Sequence, residues 1–167
     1  MVCAAIARTD GKLSISATTR PEGRGEVDGR DYYFLTQEQF LDKIQKGEFL
    51  EYAKVFDNYY GTEARAVMEL LEAGHAVVLE IDVQGAGQVF ERFPQACGVL
   101  IVAPDGDEIE RRIRDRGRDE PESIKKRLAK AEAEIAEARN SGNFKNTIVN
   151  DNLEEAIDAM VALIEGA

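Results

Sequence analysis

A chain of 167 residues is long enough for one compact domain, and its 44% apolar and 32% charged shares are those of a globular protein rather than a disordered one. A net charge of −11 argues against nonspecific nucleic-acid binding, whose affinity comes mostly from neutralising phosphates. No apolar stretch approaches the roughly 20 residues needed to span a bilayer. Two cysteines, Cys3 and Cys97, and one histidine, His75, supply neither a disulfide framework nor a metal-ligand spacing. The opening MVCAAIARTDGK has no basic start and no cleavage pattern, so no signal peptide is expected. The expectations are a cytoplasmic protein, no resident metal, and neither nucleic acid nor membrane as partner.

In chain order, residues 2–8 resemble the end of a helix, broken by Asp10-Gly11. Leu13 to Thr19 alternates and is rich in Ile and Thr, which predicts a strand. A polar, Gly-rich loop runs from Arg20 to Gly29, and Asp31 to Leu35 is a short aromatic strand. Thr36 with Gln39 three residues on has capping-box chemistry, predicting a helix that Gly47 ends. Phe49–Phe56 and Tyr59–Thr62 read as a hairpin turning at Asp57-Asn58. Glu63 to Ala73 is helical, with Gly74 as its cap. Ala76 to Val83, a largely apolar run, reads as a buried parallel strand, and Gly87 to Phe93 as a short helix stopped by Pro94. A second buried strand at Val99–Val102, a basic helix at Asp105–Arg116 and a long helix at Ser123–Asn140 follow. A last strand at Thr147–Val149 and a closing helix at Leu153–Glu165 complete the series. Alternating strands and helices predict an α/β fold with a mainly parallel sheet, and the hairpins between residues 31 and 62 look like an inserted lobe.

Four segments carry candidate chemistry. In TTRPEGRGEVDG, Thr18 to Gly29, hydroxyls, an Arg and glycines suit a loop that grips phosphate, although a plain surface loop reads much the same. In NYYGT, with Glu51 upstream, a carboxylate can accept from the adjacent ring N–H and amino group of guanine. Thr62 can donate to the ring carbonyl, and the Tyr32 and Tyr60 phenols can donate to phosphate; ordinary strand packing is the other reading of these tyrosines. Glu80 and Asp82 interrupt an apolar run. They fit a strand end facing a ligand crevice, or simply an exposed strand end. Nine of the 21 Lys and Arg fall between Arg111 and Lys130. That suits a lid closing over phosphates, or a solvated face paired with the glutamates nearby.

In this order and spacing, SISATTR, GEVDGRDYYF, GEFLEYA, NYYGT, LEIDVQGA, RIRDRG and TIVNDNLEEA resemble guanylate kinase from about Ser14 to the C-terminus. The resemblance implies a phosphotransferase moving a phosphoryl group from ATP, with Mg²⁺, to GMP in purine nucleotide metabolism. It implies a P-loop-kinase-like parallel sheet core, an inserted mixed-β GMP-binding lobe over about residues 20–75, and a helical lid over about 105–125, all one domain across 1–167. Carried over residue by residue, Ser16, Arg20, Tyr32 and Tyr60 would contact the GMP phosphate. Glu51, Thr62 and Asp82 would read guanine, with Glu80 nearby. Arg112, Arg116 and Arg127 would act on the transferring phosphoryl group, and Asn150 lies where the family approaches the ATP base.

Two departures stand out. The family's second phosphate-binding Arg falls on Gly23, with Arg24 one residue beyond as its substitute. Upstream, no GPSGxGKS/T precedes the first helix, so the first core strand and the phosphate-binding loop are expected to be missing and kinase activity to be impaired. The alternatives are a catalytically dead guanylate-kinase-like protein-binding module and a GMP-binding remnant.

Overall fold

A computed structural model of the protein describes residues 1–115 and 121–166. The chain divides into two compact units, one formed by Val2–Ala96 with the residues from Val161 on, the other by Met1 with Cys97–Met160.

In the first unit, α1 (Val2–Ile6) leads to β1 (Lys12–Leu13), which pairs in parallel with β6 (Val77–Val78). The strand expected from Leu13 to Thr19 is in fact two. Ser14 N still donates to Val78 O at 3.0 Å, and then the chain leaves that ladder and enters a second sheet as β2 (Ala17–Thr18). This second sheet has the order β3-β2-β5-β4, with β3 at Tyr33–Phe34, β4 at Phe49–Val55 and β5 at Asn58–Glu63. Its β2–β3 pair is parallel and its β2–β5 and β4–β5 pairs antiparallel, so the sheet is mixed.

One face of this sheet is apolar. Helix α2 (Gln37–Gln45) starts on the full capping box of Thr36 and Gln39 and carries Phe40 beneath the strands. Phe40 is fully buried, with its ring 4.3 Å from that of Phe49 and 5.5 Å from that of Tyr59. Gly61 lets this packing happen, because a Cβ there would stand 3.1 Å from Phe40 Cζ and 2.9 Å from the Glu51 carbonyl. Because side chains alternate along a strand, Tyr59 and Gly61 face α2, which leaves Tyr60 and Thr62 on the opposite face. The β4–β5 reversal lies one residue earlier than the sequence suggests, at Phe56-Asp57, with Val55 opposite Asn58.

Helix α3 (Ala64–Glu72) and helix α4 (Val83–Arg92) follow, and Val67 and Val89 bury themselves against Leu50 of β4. The expected buried strand from Ala76 to Val83 is reduced to Val77–Val78, both half-buried. Its last residues turn into α4, which begins four residues before the expected Gly87 because Asp82 caps it. The second unit holds the parallel pair β7 (Val99–Val102) and β8 (Asn146–Val149), helix α5 (Gly106–Asp115) and helix α6 (Pro121–Ser141). Helix α7 (Leu153–Glu165) runs over the predicted residues. The whole is an α/β fold with a mixed sheet.

Candidate functional site

The second face of the four-stranded sheet carries polar side chains. Glu51 and Thr62 stand opposite each other across β4 and β5, and Tyr60 lies two residues along β5 on the same face. Glu51 is only 3% exposed, and Thr62 Oγ1 donates to its Oε1 at 2.7 Å. Burial pushes the Glu51 carboxyl above its ordinary value; the Thr62 hydrogen bonds oppose this and the charge of Asp82 adds to it.

Asp82 reaches the same place from α4. Its Oδ1 accepts from Gly85 N at 2.8 Å as the helix cap, while its Oδ2 is buried with no hydrogen-bond partner. Asp82 therefore has a structural reason to be where it is, and one acceptor to spare. Gly85 admits the second carboxylate, since a Cβ there would fall onto Glu51 Oε2. In the sequence Gly85 is visible within LEIDVQGA, one of the segments that carry the resemblance, but its contact with Glu51 is not. Sequence reasoning missed Gln88 altogether, one turn further along. Gln88 Nε2 donates to the Tyr52 carbonyl at 2.7 Å, and its Oε1 accepts from Tyr52 N at 3.2 Å. Arg92 Nη1 donates to the Phe49 carbonyl at 3.1 Å. Together they hold α4 on the edge of β4 and so hold Asp82 beside Glu51. Only the helical spacing of Gly85, Gln88 and Arg92 could have signalled this.

A second cluster gathers around Arg20. Its guanidinium carbon lies 5.1 Å from the centre of the Tyr32 ring and 5.6 Å from that of Phe34, and the Tyr32 and Tyr60 rings meet edge to face at 6.2 Å. A hydrogen bond from Arg20 to Glu26 holds its charge firmly, and Tyr60 supports it further. Burial, then the neighbouring Tyr60, pushes the Tyr32 phenol up. The hydroxyls of Thr18 and Thr19, expected to help grip phosphate, are used otherwise. Thr18 Oγ1 donates to the Tyr59 carbonyl at 3.1 Å, and Thr19 Oγ1 accepts from Tyr59 N at 2.9 Å, tying the loop to β5.

Other expected residues are more loosely placed. Ser16 is half-buried beside β3, its carbonyl accepting from Tyr33 N at 2.9 Å. Arg24 is exposed. Glu80 is exposed and acts on Tyr32 as a nearby negative charge. A cavity of about 600 Å³ lined by Arg8, Asp10, His75 and Glu165 holds none of the expected site residues.

The second unit contains Arg112, Arg127 and Asn150, whereas Arg116 lies outside the described residues. Arg112 Nε donates to Glu108 at 2.6 Å, and its Nη2 donates to the Asn150 carbonyl at 2.7 Å, so these two expected residues do meet. Arg127 is half-buried on α6. Among the described residues no group of three or more His, Cys, Asp or Glu could hold a metal ion, and no helix is long and apolar enough to cross a membrane.

The family model described as guanylate kinase matches residues 3–167. The guanylate kinase of Prochlorococcus marinus (strain MIT 9312) is 45% identical over 153 residues, covering 92% of this chain and 82% of that protein. That of Dechloromonas aromatica (strain RCB) is 45% identical over 155 residues, 93% of this chain and 75% of the relative. Among solved structures, the crystal structure of guanylate kinase from Anaplasma phagocytophilum superposes with a TM-score of 0.81 at 30% identity, over 98% of this chain and 79% of that one.

Proposed function

The chain belongs to the guanylate kinase family, and from that premise we propose that the polar face of the four-stranded sheet binds GMP as the acceptor of a phosphoryl group from ATP. The observation that carries this is the meeting of Glu51 and Asp82, two carboxylates that can only accept, one 3% exposed and the other with a buried oxygen unpartnered. A buried acceptor left unpaired costs about 1–3 kcal/mol. Guanine offers the matching donors, its ring N–H and amino group, whereas adenine presents a lone pair at the corresponding ring nitrogen. Thr62 fixes the Glu51 carboxylate in direction, and Glu80 stands nearby.

Arg20, Tyr32 and Tyr60 then hold the GMP phosphate, with Ser16 and Arg24 in attendance on the same segment. In the reaction a GMP phosphate oxygen bonds to the terminal phosphorus of ATP as the bond to ADP breaks. Catalysis of such a step is almost entirely positioning and charge stabilisation. Arg112, Arg116 and Arg127 are the groups proposed to spread that charge, and Asn150 to approach the ATP base. Mg²⁺ enters with ATP as part of that substrate. A cytoplasmic setting accompanies this reading.

The 167 residues contain no G-x-x-x-x-G-K-[ST] sequence, whose backbone N–H groups and Lys cradle donor phosphates. We therefore expect this polypeptide to capture GMP but transfer phosphate slowly, each 1.36 kcal/mol of lost transition-state contact being a factor of about ten in rate. Titration with GMP and ATP, followed by a coupled turnover assay, tests both parts. GMP binding with weak turnover is expected. Turnover within the roughly 1–100 s⁻¹ usual for kinases would overturn the impairment, and failure to bind either nucleotide would point to a protein-binding module instead.

A further inference from the structure

The fork of Arg20 is already filled by a side chain of its own loop. Arg20 Nη1 donates to Glu26 Oε2 at 2.6 Å, Nη2 donates to Oε1 at 2.8 Å, and Gly23 N donates to Oε2 at 2.6 Å. A guanidinium fork joined by a backbone N–H is a donor set suited to a phosphate, and a carboxylate sits in it. Nη1 is further occupied by the Pro21 carbonyl at 2.9 Å. The seat is shaped for this carboxylate: a Cβ at position 23 would stand 2.8 Å from Glu26 Oε2 and 3.1 Å from its Cδ. Gly23, where the family resemblance puts a second arginine, thus lets Glu26 in. The Tyr32 and Phe34 rings hold the guanidinium in place.

We infer that Glu26 is an internal anion which a substrate phosphate must displace from Arg20, and that it thereby sets the affinity of the site for phosphate monoesters. This rests on the reading of Arg20 as a ligand of the GMP phosphate. Two anions cannot share one fork, because like charges within about 4 Å repel strongly near a protein surface. The exchange favours the incoming group when it carries more charge than a carboxylate. A phosphate monoester does, at about −1.5 to −2 near neutral pH. Glu26 can leave, since its side chain is 26% exposed and water lies within reach.

Glu26→Gln opens the fork, because its amide NH₂ would face guanidinium N–H groups. Glu26→Ala removes the group altogether. Calorimetric titration of GMP and guanosine into the 167-residue chain, both variants and Arg20→Ala tests the inference. Both Glu26 variants are expected to bind GMP about tenfold more tightly, as for the loss of one charge-assisted competitor, with guanosine affinity unchanged. Unchanged or weaker GMP binding in both variants, with guanosine binding intact, would overturn the inference and leave Glu26 as a partner that orients Arg20. If the unsubstituted chain binds GMP no better than guanosine, or Arg20→Ala leaves the difference intact, the reading of Arg20 falls and the inference with it.

Discussion

Glu51, a residue proposed to read guanine, works against its own fold. Its folded carboxyl titrates above the ordinary 4.5 because burial disfavours the charge. The folded state therefore holds its proton more tightly than the unfolded chain does. This favours folding below about 4.5, and the advantage is lost as pH rises from there through the folded value. Glu51→Gln removes that slope. The variant is expected to melt at a higher temperature than the parent at pH 7, with the difference shrinking towards pH 4, while its GMP affinity falls roughly 100-fold. A parent and variant with parallel melting curves across that range would show that the charge is not strained. Gly85→Ala makes the complementary prediction. Alanine normally improves a helix position by about 1 kcal/mol over glycine, but here its methyl would land on the Glu51 carboxylate. Loss of stability and of GMP binding is expected, measured by thermal melting and calorimetry; a gain in both would contradict the packing. At this scale the sequence spoke clearly where β-period spacing was involved, as with Tyr60 and Thr62 on one strand. It was silent on Glu26 and Gln88, whose partners depend on how loop and helix dock.

Among the elements, α5 corrects an impression left by counting arginines. Read from the sequence, RRIRDRGR suits either a lid closing over phosphates or a solvated face paired with the glutamates nearby. In the helix, Arg111 pairs with Glu108 at i−3, Arg112 with Glu108 at i−4, and Arg114 with Glu110 at i−4. Among the described residues, the solvated-face reading accounts for Arg111 and Arg114, and Arg112 also reaches out, to the Asn150 carbonyl. Hydrogen bonds from Arg111 and then Arg112 hold the Glu108 carboxyl down to about 2. With the folded value below the ordinary 4.5, this stabilisation is present above that pH and is lost as pH falls from 4.5 through about 2. Far-UV circular dichroism between pH 5 and 2 should show the parent losing helix over this window more steeply than Glu108→Gln; identical profiles would sink the assignment. The strand lengths were less legible. Leu13–Thr19 and Ala76–Val83 are rich in strand-favouring residues, but pairing partners and the Asp82 cap, rather than propensity, decide where each ends.

For the whole molecule, the residues proposed to read GMP all belong to the unit of Val2–Ala96, and the arginines and Asn150 proposed for the ATP side that are described belong to the other. Under the proposed reading, acceptor recognition lies within one unit, where Arg20 is the cation that a chain of net charge −11 would offer to an anionic nucleotide. The account stands on Glu51 and Asp82 accepting from guanine. Calorimetric titration with GMP, IMP and AMP at one pH and ionic strength tests it most directly. GMP should bind at least about 100-fold more tightly than AMP, because the wrong base leaves buried acceptors unpaired, with IMP, which lacks the amino group, in between. Equal affinity for the three nucleotides would contradict the account.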